Sequence, residues 1–168
     1  MAQREKLLFA LDQLHYYAHW ITPEARPERF DTRFFLARYP LGQEASHDQK
    51  ETTAGIWITP QKALEENLKG EVFLSPPTLK TLEDLSRFKT IEDVFYSLES
   101  REVQPILPIL TKISDNPLII FPWDPEYALF QKGEIPSPLN YGRPSQIGDN
   151  TTRVILKQGI WHPYCRNR

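Results

Sequence analysis

The chain has 168 residues, 19.7 kDa, a net charge of −2 and a pI near 6.1, with 40% hydrophobic and 25% charged residues, a balance that excludes a disordered chain. It holds no dense Lys/Arg block and no run near the roughly 18 apolar residues a membrane span needs, so nucleic-acid binding and membrane insertion are excluded as its main business. The single cysteine, Cys165, excludes an internal disulfide and a cysteine metal cluster.

Residues 3–18 are predicted as an amphipathic helix, with Leu7, Leu11, Leu14 and Ala18 at helical spacing and the leucines buried against a sheet. MAQREKLLFALDQL carries charges within its apolar run and lacks a small-residue cleavage site, so it is no signal peptide and the expected location is cytoplasmic. After the turn-rich ITPEARPER, residues 29–39 read as a strand. Phe30, Thr32, Phe34 and Leu36 share one face; Arg29, Asp31, Arg33 and Phe35 share the other. Large side chains on both faces predict a strand inside a sheet and covered twice. If it lacks a neighbour there, its edge is expected to pair with a second copy of the chain or with the chain's own C-terminal strands.

A polar connection, Leu41 to Thr52, leads to TAGIWIT, a second expected strand. Thr59 and Pro60 open a helix, PQKALEENLK, that Gly70 ends. EVFL reads as a short strand, and Ser75 with two prolines opens a helix through Leu85. Thr90 with Asp93 forms a capping box for a third helix carrying Ile91, Val94, Phe95 and Leu98. The proline-rich last third interleaves Ile109, Leu110 and Leu118–Phe121 with its prolines, which marks ordered strands over a core. RVILK-QG-IW closes the chain as a hairpin, with Gly159 in the tight turn. The class is α+β, with residues 1–168 as one domain.

HWITP…RFDTRFFLARYP, HDQKET…GIWITPQKALE, LSPPTLKTLEDL and the closing TRVILKQGIWHP resemble the later half of a Nudix hydrolase. The nearest branch is that of the peroxisomal coenzyme A diphosphatases and their bacterial relatives. The resemblance runs from about Leu11 to about Pro163. It implies a Nudix-like mixed sheet with flanking helices, and hydrolysis of a phosphoanhydride in coenzyme A or nucleoside-diphosphate-linked substrates with Mg²⁺ or Mn²⁺. The Nudix signature, R-E-U-x-E-E-x-G-U with U a bulky aliphatic residue, is absent. Lys6 follows Arg4-Glu5, Pro105 and Ile106 stand where glutamates should follow Arg101-Glu102, and Gln61 and Lys62 precede Glu65-Glu66. Relatives carry the early strands and the signature helix upstream of the segment that opens this chain. A truncated frame, a gene model begun at an internal methionine and a diverged descendant all fit.

Diphosphate hydrolysis needs divalent cations held by converging carboxylates. The resemblance carries over Glu51 as the candidate catalytic residue and metal ligand, a later-loop glutamate, with Asp48 beside it; the bland alternative is a pair of solvent-facing acids. Arg29 and Arg33 are candidates for substrate phosphate, because guanidinium gives bidentate contacts to phosphate oxygens; an exposed charge ladder around Asp31 is the competing reading. Trp123 is a candidate stacking surface for a base or pantetheine, or else a core anchor at a strand end. His15 and His19 are four apart and would share a helix face, one condition for a metal pair, but with no third ligand among His47 and His162 they are assigned to packing near Tyr16, Tyr17 and Trp20. The reading is a Nudix-type hydrolase incomplete for catalysis as this chain. The alternative is a non-catalytic binding or interaction module, and in either case the partner is a small nucleotide or coenzyme A-like ligand.

Overall fold

A computed structural model describes residues 10–45, 54–137, 139–146 and 148–166. Two sheets and four helices among these residues give the expected α+β, Nudix-like class. No helix among them is long and apolar enough to cross a membrane.

The first sheet contains β1 (His15–Ile21), β2 (Asp31–Leu36) and β3 (Pro105–Ile106), in the order β2-β1-β3; β2 runs antiparallel to β1 and β3 parallel to it. The helix expected over 3–18 is corrected here. Residues 3–9 lie outside the described residues, Leu11–Gln13 make a single 3-10 turn, and His15–Ile21 is extended. HYYAHWI is dense in aromatics that suit a pleated surface, and its pairing to β2 overrides the leucine spacing before it. The predicted leucine stripe is not buried: Leu11 is 67% and Leu14 44% exposed, and Leu7 is outside the described residues.

Between β2 and the first helix, Ala54–Thr59 forms no strand and is mostly exposed, with Trp57 edge-on to Tyr39 at 4.9 Å. Helix α1 (Pro60–Lys69) is capped by the Thr59 hydroxyl, which accepts from the Lys62 N–H. It ends at Gly70, whose φ of +81° is the left-handed conformation only glycine takes without cost. The EVFL strand does not form. That segment turns instead, and Asn67 of α1 accepts from the Leu74 N–H at 3.1 Å while donating to the Trp161 carbonyl at 3.1 Å. Helix α2 (Pro76–Leu85) follows, and α3 (Ile91–Leu98) carries the full capping box of Thr90 and Asp93.

The proline-rich third builds a second, antiparallel sheet of β4 (Ile109–Ile113), β5 (Asn116–Ile120), β6 (Arg143–Pro144), β7 (Arg153–Lys157) and β8 (Ile160–Cys165), in the order β4-β5-β7-β8-β6. Helix α4 (Tyr127–Gln131) lies between β5 and β6 in sequence. The expected β7–β8 hairpin is present, with Gln158 and Gly159 both at positive φ, as a type I′ turn requires. Pro117 precedes the β5 stretch that pairs with β7, so its missing N–H interrupts no ladder on that side.

One core joins both sheets: Tyr17, Ala18 and Trp20 of β1 pack with Leu79 of α2, Ile119 and Phe121 after β4, and Val154 of β7. A second cluster, Leu118, Ile120, Phe130 and Ile155, fills the opposite face of β5 and β7. β5 is therefore the strand covered twice. The expectation that residues 29–39 lie inside a sheet is corrected: among the described residues β2 is an edge strand, Phe30 and Phe35 are 66% and 50% exposed, and the C-terminal strands pair with one another rather than with β2.

Candidate functional site

The outer face of the β1–β2 pair gathers polar groups that lie far apart in sequence. A β-bulge between Tyr16 and Ala18 inserts one residue into β1, so Tyr17, Ala18 and Trp20 all enter the core while Tyr16 and His19 stay together on the other side. Their ring centres are 6.4 Å apart, and Tyr16 meets Phe35 of β2 at 5.5 Å. His19 sits across from Arg33 and one step from Asp31.

Asp31 Oδ1 is the hub. His19 Nε2 lies 2.7 Å from it and Arg33 Nη1 3.0 Å from it. The imidazole is almost fully buried, whereas the Asp31 carboxylate and the Arg33 guanidinium are half exposed. With its proton on Nε2, His19 donates to Asp31, and the contact fixes the ring's orientation. A guanidinium offers five donors, far more than one carboxylate oxygen takes, so the exposed fork keeps capacity for an anionic ligand.

Of the charge ladder the sequence offers across Arg29, Asp31 and Arg33, the Asp31–Arg33 contact is present. Arg29 turns away, its Nε donating to the Thr22 carbonyl at 3.1 Å, where it braces the loop between β1 and β2. Trp123 is an anchor between elements: its ring stacks on Phe121 at 5.0 Å, its Nε1–H donates to the Thr151 carbonyl at 2.8 Å, and Lys80 Nζ lies 5.4 Å from its centre. Asp48 and Glu51 lie outside the described residues. Among the described residues, no three His, Cys, Asp or Glu side chains are grouped to hold a metal ion. The sequence reading assigns His19 to packing; simple alternation along HYYAHWI would place it with Tyr17, and only the β1–β2 register with its bulge brings it to Asp31.

Two further charge clusters are structural. On α2, buried Lys80 pairs with Glu83 at 2.7 Å and Asp84 at 2.6 Å, and Glu83 accepts from the Thr151 N–H and hydroxyl, which ties the helix to the segment entering β7. Under the second sheet, fully buried Arg153 forms a two-point contact with Asp124 at 2.6 and 2.7 Å and reaches Glu126 at 2.6 Å. Burial pulls the Arg153 pKa down, but the hydrogen bonds from Asp124 and Glu126 outweigh it and hold the group above its ordinary value. A cleft of about 320 Å³ between α1, α2 and β8 is floored by Leu64, Leu68, Leu79 and Pro163.

The family model of the NUDT19 Nudix domain matches residues 1–87, the stretch that holds β1, β2, α1 and α2 and stops before α3. Three curated relatives bear the name acyl-coenzyme A diphosphatase NUDT19. That of Xenopus laevis is 27% identical over 121 residues, covering 68% of this chain and 32% of its own length. The Homo sapiens protein is 29% identical over 119 residues, with 68% and 32% covered. The Gallus gallus protein is 28% identical over 164 residues, with 89% and 40% covered. The chain thus spans about a third to two fifths of the curated relatives it matches. No solved structure matches it at a significant level.

Proposed function

This chain belongs to the NUDT19 Nudix domain family, and on that premise we propose that it is the substrate-recognition part of a Nudix-type diphosphatase. It binds a small diphosphate-linked ligand of the coenzyme A or nucleotide class on the outer face of β1 and β2, and its 168 residues act as one domain. The observation that carries this reading is the convergence of His19 and Arg33 on Asp31, on an open face inside the family-matched stretch. Arg33 supplies a planar fork for phosphate oxygens, and the buried His19 holds Asp31, and through it Arg33, in place. Tyr16 and Phe35 offer aromatic surface beside them for a base. Arg29 and Trp123, committed elsewhere by their hydrogen bonds, support the loop and the core rather than the ligand.

Hydrolysis is a separate matter. Mg²⁺ or Mn²⁺, when bound, would neutralise diphosphate oxygens and activate water. A hard cation takes several carboxylate oxygens, and the described residues bring no such set together. Asp48 and Glu51 are the carboxylates that would serve, two where the family's signature supplies a helix of glutamates. We therefore assign binding to this chain and turnover to signature glutamates that its sequence does not contain, a reading that also accommodates a non-catalytic module.

Calorimetric titration with coenzyme A and with ADP-ribose tests the assignment. Losing a charge-assisted hydrogen bond costs about 1.5–3 kcal/mol, so Arg33→Ala is expected to weaken binding about tenfold or more while costing the fold no more than about 0.5–1 kcal/mol. An affinity that Arg33→Ala and His19→Ala both leave intact would overturn the site.

A further inference from the structure

β2 has β1 on one side and, among the described residues, no strand on the other. Its backbone parity can be read from the ladder. The Thr22 N–H donates to the Phe30 carbonyl at 3.0 Å, so antiparallel alternation turns the backbone groups of Phe30, Thr32 and Phe34 towards β1. Those of Asp31, Arg33 and Phe35 point outward. An incoming strand bonds to these three. If that strand is a second β2 running antiparallel, outward residues must meet outward residues, and this restricts the registers to a few.

Charge separates them. A two-fold axis at Arg33 sets two arginines directly opposite each other, which is unfavourable. An axis at Phe34 leaves Asp31 opposite Ala37. An axis at Thr32 sets Asp31 opposite the partner's Arg33 and, by symmetry, repeats the pair in reverse. The same register puts Phe30 opposite the partner's Phe34, an aromatic pair, and seats Phe35 against the partner's chain at Arg29, whose guanidinium stays on the Thr22 carbonyl. Phe30 and Phe35, 66% and 50% exposed in the single chain, are the large side chains this arrangement covers.

We propose that a second copy of this chain pairs antiparallel along the outer edge of β2, about a two-fold axis at Thr32, to make one continuous sheet across the dimer. Edges that carry apolar side chains and neither proline nor a bulge are open to such pairing, and β2 itself, DTRFFL, has no proline. The pairing uses backbone groups in the plane of the sheet, but it also draws on Asp31 and Arg33, which the ligand reading uses. Sedimentation and amide exchange without ligand test the pairing alone, and calorimetric titration tests the ligand reading, so failure of one is told from failure of the other.

Sedimentation velocity on the 168-residue chain over a range of concentrations is the test. The expected result is a reversible species of twice 19.7 kDa. Asp31→Arg and Arg33→Asp should each weaken association about tenfold or more, since each sets two like-charged pairs across the axis. Mixed in equal amounts, the two variants should associate again, because each new charge meets its opposite on the other chain. Far-UV circular dichroism establishes that each is folded. On the unaltered chain, the amide protons of Arg33 and Phe35 should be protected at high concentration and exchange faster on dilution. A monomer at every concentration would overturn the proposal. So would a dimer that both variants leave unchanged, a mixture no tighter than its components, or concentration-independent exchange at Arg33 and Phe35.

Discussion

DTRFFL in β2 and NPLIIF through β5 each end on a run of large apolar side chains, and the two stretches sit in opposite surroundings. β5 has β4 and β7 on its two sides, and its faces feed two different cores: Ile119 and Phe121 into one, Leu118 and Ile120 into the other. β2 has only β1 beside it among the described residues. Its Phe34 and Leu36 reach the shared core, while Phe35 stays half exposed on the far face. Cover, not composition, separates the strand that stabilises the fold from the strand that presents a surface. The family-matched stretch holds the presenting strand; the region beyond it holds the buried one.

Substitutions should show the same division, and the largest effects belong to the second sheet. Arg153→Ala leaves the Asp124 carboxylate buried without its cation and should lower stability by about 3–5 kcal/mol in urea denaturation. Phe121→Ala should cost about 3–5 kcal/mol by opening a cavity against Trp20 and Trp123. A loss below ~1 kcal/mol for either would break the comparison, because it would place these residues in surroundings as loose as those of β2.

A smaller, pH-dependent effect lies at the rim of the same sheet. The Arg143 guanidinium, with the Gln146 N–H, holds the Asp149 carboxyl down from 3.8 to about 2. A depressed carboxylate contributes fully above its unfolded value and loses that contribution as pH falls towards its folded one. The gap in melting temperature between the wild-type chain and Asp149→Asn should be constant above pH 4 and close as pH approaches 2. On the neighbouring strand, burial and then the Lys157 charge hold His162 below its ordinary 6.5. Its ring should titrate by NMR below that value, and acidification below 6.5 should weaken the fold. The smallest effects belong to β2: Phe35→Ala and Arg33→Ala should move stability by no more than about 0.5–1 kcal/mol, as exposed side chains and ion pairs do.

What the sequence disclosed follows from how local each signal is. α1, α2 and α3 are written in their ends: Thr59 with Pro60 and Gly70, Ser75 before two prolines, and Thr90 with Asp93. The β7–β8 turn is likewise carried by two adjacent residues, Gln158 and Gly159. β1 was hidden because leucines at helical spacing run into it, and because its bulge sends Tyr17 and Ala18 into the core together, breaking the alternation that marks a strand. β2 misled because two apolar faces look alike whether or not anything covers them. The site was half legible. Asp31 and Arg33 are two apart on one strand face, but the third member, His19, meets Asp31 only through the β1–β2 register. The bond from Thr151 to Glu83, which locks α2 to the second sheet, spans 68 positions and has no local trace at all.

We propose that this chain supplies recognition to a Nudix-type reaction and leaves turnover to signature glutamates that its sequence lacks, and one measurement tests this most directly. The direct measurement is turnover of coenzyme A and of ADP-ribose by the purified 168-residue chain with Mg²⁺ or Mn²⁺, with an EDTA control and Glu51→Ala beside it. The account predicts binding without phosphoanhydride cleavage above the uncatalysed rate. Turnover that EDTA abolishes and that Glu51→Ala removes would contradict it, and would move the hydrolytic site into residues 46–53 of this chain.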